Sequence, residues 1–196
     1  NDYYFRGATR DGADLVLHMD DSLGGGDIVL VDFYTTGSIT KILSEMDGTD
    51  PYTYLVKGLV GTVKDEMIVG TSASETLSGG GGWDDFYGDG GNDTFIGGGK
   101  ASVNYSTLTT FNAATGGLVM TGALNASGDG SATLFDGTSS WTQTYQGIAE
   151  IIGTDGNDTL YGSAISQMDG HFSLEGGKGD DQLYDGGLGT TVASYE

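Results

Sequence analysis

A nine-residue period between Gly61 and Tyr105, resumed near the C-terminus, constrains the fold of this 196-residue chain more tightly than any other feature. Its two best copies are adjacent, Gly79-Gly80-Gly81-Gly82-Trp83-Asp84-Asp85-Phe86-Tyr87 and Gly88-Asp89-Gly90-Gly91-Asn92-Asp93-Thr94-Phe95-Ile96. Each opens on four turn-forming residues, carries an Asp at the sixth place and a large apolar residue at the eighth. Gly61, Gly70, Gly79, Gly88 and Gly97 keep the interval, as do Ile68, Leu77, Phe86 and Phe95. In the outer units Glu66 and Glu75 replace the Asp, and Ser102 falls at the sixth place of the last. Six residues that turn and three that extend make one coil of a flattened parallel roll, with the eighth residue pointing inward and stacking on its equivalents. Turns on one edge then belong to alternate coils.

The period returns in Gly153-Thr154-Asp155-Gly156-Asn157-Asp158-Thr159-Leu160-Tyr161 and in Gly176-Gly177-Lys178-Gly179-Asp180-Asp181-Gln182-Leu183-Tyr184. Between Leu160 and Leu174 the interval stretches to fourteen, so a turn must bulge there. Outside the repeats, Asp14–Met19 and Asp27–Tyr34 alternate as paired strands around the loop 20–26, with a further strand over Tyr52–Leu59. Gly117–Thr121 and Trp141–Tyr145 also alternate, in a stretch rich in Thr, Ser, Ala and Gly. No helix is needed anywhere. The expected architecture is all-β: an N-terminal antiparallel β domain (1–60), a first repeat array (61–105), a β insertion (106–150) and a second array (151–196).

Charge supplies the second constraint. Twenty-eight acidic residues against seven basic ones leave a net charge of −21, which repels itself in any compact form. Nucleic acid and anionic membrane surfaces need basic patches and are poor partners. No apolar run approaches the length of a membrane helix, so membrane insertion is not expected. Divalent cations are the natural counterions, and about ten would cancel the formal excess. With no cysteine there are no disulfides, and metal ions can serve as the missing crosslinks. Glycine-lined turns let backbone carbonyls approach an ion closely, and an oxygen-only, flexible cage suits calcium better than octahedral magnesium.

These motifs resemble those of the RTX (repeats-in-toxin) group of secreted bacterial proteins, over residues 61–105 and 151–196. The resemblance implies a parallel β-roll in which the sixth-position acid and the carbonyls of the first four turn residues bind several Ca²⁺ ions. Carried over by position, the implied ligands are Asp84 with Gly79, Gly80, Gly81 and Gly82, and Asp93 with Gly88, Asp89, Gly90 and Gly91. In the second array they are Asp158 with Gly153 and Asp155, and Asp181 with Gly176 and Lys178. Glu75 extends the set to a preceding unit. Ser102 and Thr190 stand at sixth places that have lost the acid, so sites there are expected to be absent or weak. The resemblance also implies type I export and an extracellular or cell-surface location in bacteria.

Other chemistry finds few residues. His18 and His171 are isolated, and no G-x-S-x-G, H-E-x-x-H or cysteine nucleophile exists, so no enzyme is expected. Trp83 and Trp141 can stack on sugars or pack in a β surface. The sequons at Asn92 and Asn157 follow from the repeat's own Asn-Asp-Thr. Asp20, Asp21 and Asp27 make a further calcium site or a plain acidic hairpin loop, and Asp50-Pro51 reads as a turn. The leading expectation is a calcium-dependent structural or adhesive module of a secreted cell-surface or extracellular-matrix protein, self-associating into fibres or sheets. The second is a calcium-dependent lectin or peptide-binding module, with its glycan or peptide site in the first domain or the insertion. The third is an accessory module of a secreted enzyme.

Overall fold

In the computed structural model the described residues are 5–11, 13–19, 26–33, 41–44, 52–55, 60–88, 90–98, 100–106, 116–120, 122–162, 172–184 and 191–194. Asp20, Asp21, Asp50-Pro51, Asp89, His171, Thr190 and the stretched interval 163–171 lie outside them. Among the described residues there is no helix, and eighteen strands form three sheets.

β1 (Phe5–Asp11), β2 (Asp14–Met19) and β3 (Ile28–Leu30) make a small antiparallel sheet. The expected pairing of the second and third holds, with Leu15 opposite Leu30 and Leu17 opposite Ile28. Leu15, Leu17, Leu30 and Phe33 are buried against Met67, Val69 and Tyr87, which belong to the repeats. Three strands need such a partner to bury an apolar face. Asp32 takes a left-handed conformation (φ 57°), and its N–H donates to Asp14 Oδ1 at 2.6 Å.

β4 (Lys41–Ser44) and β5 (Tyr52–Leu55) form a hairpin, and β5 runs parallel beside β6 (Glu66–Val69). From there the chain alternates between two parallel sheets. β7 (Thr76–Ser78) and β9 (Thr94–Ile96) enter one, while β8 (Asp84–Tyr87) and β10 (Ala101–Asn104) join β6 in the other. Ile68 lies in register with Phe86, and Leu77 with Phe95, eighteen residues apart, so a full coil takes two nine-residue units, one strand in each sheet, rather than the single unit expected. All four eighth-position side chains are fully buried, as the spacing requires.

The unit from Gly97 departs from its expected register. Val103 rather than Asn104 pairs with Phe86, and Ala101 rather than Ser102 pairs with Asp84. The turn 97–100 is therefore one residue short. Ala101 takes the acid's place, and Ser102 instead donates its hydroxyl to Asp85 Oδ1 at 2.5 Å.

β11 (Gly117–Met120), β12 (Gly130–Phe135) and β13 (Ser140–Gln146) form an antiparallel meander. It is built into the second sheet between β9 and β15 (Thr159–Tyr161), with parallel pairing at both ends. In the opposite sheet β10 pairs directly with β14 (Glu150–Ile152), followed by β16 (Phe172–Glu175) and β18 (Thr191–Ser194). β17 (Gln182–Tyr184) closes the meander-bearing sheet beside β15. The two arrays thus share both sheets. Where a plain coil supplies one strand the meander supplies three, and the interior widens to hold Tyr105, Leu118, Leu124, Leu134, Tyr145 and Ile148. Phe95 stacks on Tyr145 at 6.0 Å and meets Tyr105 edge-on at 6.2 Å. The two phenol oxygens lie 3.1 Å apart.

Candidate metal centre

The turns of one edge are locked to one another by a two-rung polar ladder. The fifth residue's side chain accepts the backbone N–H of the fifth residue in the next coil: Asp65 from Trp83 (2.7 Å), Ser74 from Asn92 (3.0 Å) and Asn157 from Asp180 (2.9 Å). The sixth residue's carboxylate reaches the other way. Asp84 Oδ1 accepts from Glu66 N–H (3.2 Å), Asp93 Oδ1 from Glu75 (2.9 Å) and Asp181 Oδ1 from Asp158 (2.9 Å). Backbone donors between stacked turns need acceptors, and the repeat's polar residues supply them coil by coil. Asn92 and Asn157 are accounted for in this way, Asn92 Oδ1 also accepting from Thr142 N–H at 2.7 Å.

The carboxylate's second oxygen faces back onto its own turn, over the first glycine. A β-carbon at Gly79 would collide with Asp84 Oδ2, and one at Gly176 with Asp181 Oδ2, so only glycine fits there. What that oxygen meets divides the turns into two kinds. In Gly61–Glu66, Gly70–Glu75 and Gly153–Asp158 the second residue is threonine. Glu66 accepts both the N–H (2.8 Å) and the hydroxyl of Thr62. Glu75 accepts those of Thr71 at 2.6 and 2.9 Å, and Asp158 those of Thr154 at 2.7 and 2.9 Å. In the turn 79–84 the second residue is glycine, and Asp84 Oδ2 is buried without a hydrogen-bond partner.

An orphaned carboxylate oxygen in an acidic neighbourhood is costly. Asp84 is fully buried, and burial pushes its carboxyl up to about 7, with the charges of Glu66, Asp65 and Asp85 adding to the rise and the Glu66 N–H opposing it. Burial likewise raises Asp158 to about 6 against the pull of its Leu118 and Thr154 bonds, and raises Asp181 against its bond from Asp158. A cation beside Asp84 relieves both the missing partner and the charge. Among the described residues no three acidic or histidine side chains converge on one point, so a cage here draws its remaining oxygens from other groups, the backbone carbonyls of the turn first among them. The donor set is then oxygen-only, which fits Ca²⁺ and leaves no place for softer metals. Gly80 (φ 90°), Gly82 (φ 95°) and Gly91 (φ 110°) adopt left-handed conformations in these turns, as do Gly177 (φ 85°) and Gly179 (φ 125°). That is a backbone only glycine enters freely.

The candidate residues therefore fall into groups. Asp84 with Gly79–Gly82 and Asp181 with Gly176 and Lys178 sit in glycine-lined turns. Asp93 with Gly88, Gly90 and Gly91 does so too, although the carbonyl of Gly91 accepts from the buried Gln143 Nε2 at 2.8 Å. Asp89 lies outside the described residues. Asp158 and Glu75 are enclosed by threonine, with Gly153 beneath Asp158. Asp155 uses its side chain in an ion pair with Lys178 at 2.7 Å, across two stacked turns. Neither the capping threonines nor Gln143 is predicted by the repeat's ligand pattern. The signal for the threonines is Thr62, Thr71 and Thr154 at the second place of the repeat, where other units carry Gly80 and Gly177.

Paired parallel sheets, a single apolar column and acid-bearing glycine turns at the edges define a calcium-binding parallel β-roll. The family model for the RTX calcium-binding nonapeptide repeat matches residues 60–99, 145–164 and 173–187, in four copies. The chain carries RTX repeats, and repeats of this family bind multiple Ca²⁺ ions. No curated protein and no solved structure matches it.

Proposed function

We propose that this chain is a calcium-folded structural or adhesive module of an exported bacterial protein, in which residues 1–60, 61–105, 106–150 and 151–196 fold as one unit. The observation that carries the reading is the unpartnered, buried Asp84 Oδ2 in a turn of four glycines. Asp84, Asp93 and Asp181, with the carbonyls of Gly79–Gly82, Gly88–Gly91, Gly176 and Lys178, are the residues that would hold calcium. The bound ion supplies positive charge where folding otherwise buries carboxylate. Where calcium is scarce the −21 chain stays expanded, which suits passage through a narrow channel. Outside the cell, millimolar calcium meets sites in the range of about 10⁻⁴–10⁻³ M, and binding free energy becomes folding free energy.

Self-association is supported by the strands at the sheet margins. Among the described residues β17 and β18 each have a neighbour on one side only, and Tyr184 on β17 is exposed. Such an edge can be extended by a further coil of the same or another chain. The test is a calcium titration of the full chain followed by circular dichroism and sedimentation. Gain of β signal with growth beyond the monomer supports the reading. An unchanged fold from chelator to about 10 mM calcium would sink it, and a calcium-induced fold that stays monomeric would remove the assembly alone.

A further inference from the structure

Each glycine turn that carries an acid rests on a threonine turn. Turn 79–84 stacks on 61–66, turn 88–93 on 70–75 and turn 176–181 on 153–158, as the ladder bonds between them record. We propose that threonine at the second place withdraws its unit's acid from the metal, so that Thr62, Thr71 and Thr154 mark turns that close without an ion and only the glycine turns take calcium.

The chemistry on the two sides differs. In a threonine turn, the oxygens that would coordinate an ion are already occupied by the N–H and hydroxyl four residues earlier. Asp158 is the most complete case, since its Oδ1 also accepts the N–H of Leu118 on the meander. To bind calcium it would first have to release three donors, all buried. The backbone differs as well. None of the threonine turns has a left-handed residue at its second or fourth place, not even Gly156, which has the freedom to adopt one. The glycine turns 79–84 and 176–181 are left-handed at both places.

The closed turn also shapes the open one. A β-carbon at Gly80 would collide with the carbonyl of Thr62, and one at Gly177 with that of Thr154. One at Gly82 would collide with the carbonyl of Lys64, one at Gly91 with that of Ala73, and one at Gly179 with that of Gly156. The second and fourth carbonyls of turns 61–66 and 153–158, and the fourth of turn 70–75, thus form the floor on which a glycine turn lies. The repeat's glycines answer to that floor as well as to an ion. Threonine at the second place supplies the floor by tying its acid down within its own turn.

The inference rests on the reading that the glycine turns bind calcium, and one experiment separates the two. Calcium bound per full chain is counted by equilibrium dialysis at saturating calcium for the wild type, Thr154→Gly, Thr71→Gly and Thr154→Ser. Serine keeps both donors and is expected to leave the count unchanged. Each glycine variant frees an acid and is expected to bind one more ion per chain than the wild type. Equal counts in wild type and both glycine variants, or failure of both to fold in calcium, overturn the inference alone. A wild type that binds no calcium overturns the calcium reading itself.

Discussion

Replacing Asp84 by Asn separates what the carboxylate costs from what it gains. Its pKa rises from 3.8 to about 7, roughly three units. At 1.36 kcal/mol per unit, holding it ionised costs about 2–4 kcal/mol at neutral pH, the lower figure allowing for solvent screening. Asparagine removes that cost and keeps an oxygen for the Glu66 N–H, 3.2 Å away. It also removes the ligand. For a site of about 10⁻⁴–10⁻³ M in about 5 mM calcium, the lost linkage is about 1–2 kcal/mol. D84N is therefore expected to be more stable than the wild type in chelator and to respond less to calcium. Thermal unfolding followed by circular dichroism at pH 7.5, with and without calcium, reads both. For a chain of this size each kcal/mol moves the midpoint by about 2–4 °C. Should the chelated wild type be unfolded at the lowest temperature, sucrose added equally to every sample brings it into range. A D84N protein less stable than wild type in chelator, with an unchanged calcium response, would refute the reasoning.

Glycine 79 and glycine 81 form a second contrast. Gly79→Ala drives a β-carbon into Asp84 Oδ2, whereas Gly81→Ala meets only Val63 Cα at 3.7 Å. The first is expected to cost about 3 kcal/mol or more and the second about 0.5 kcal/mol or less, measured as urea midpoints in calcium. Stability without calcium should also fall with rising pH. Asp84 and Asp158 have folded-state values raised to about 7 and about 6, so their contribution is complete below 3.8 and is lost as pH climbs through those values. A chelated sample whose midpoint rose between pH 4.5 and 7.5 would contradict this. Phe33→Ala, in the cluster that joins the N-terminal sheet to Met67, Val69 and Tyr87, is expected to cost about 3–5 kcal/mol. If sheet and roll are one cooperative unit, urea unfolding of this variant stays a single transition; two separate transitions would contradict that.

The nine-residue spacing alone makes the core legible. It places Ile68, Leu77, Phe86 and Phe95 on one buried column because a roll with a fixed coil length leaves the eighth residue nowhere else to point. It does not show the slip at 97–100. That turn carries no acid and is one residue short, which only the pairing of Val103 with Phe86 reveals. The strands of the insertion are readable from alternation at Gly117–Thr121 and Trp141–Tyr145. Their sheet is not, because alternation states which faces are buried and is silent on neighbours. The acids are equally visible at Asp84 and Asp158, yet one oxygen is orphaned and the other enclosed. That difference lies in a side chain four residues upstream, Gly80 against Thr154, whose effect depends on how the turn folds back on itself.

Anomalous scattering from crystals of the full chain grown in calcium locates the ions directly. Peaks within coordination distance of Asp84, Asp93 and Asp181, in their glycine turns, are the expected result. A fully ordered roll with no peak at any of the three carboxylates would contradict it.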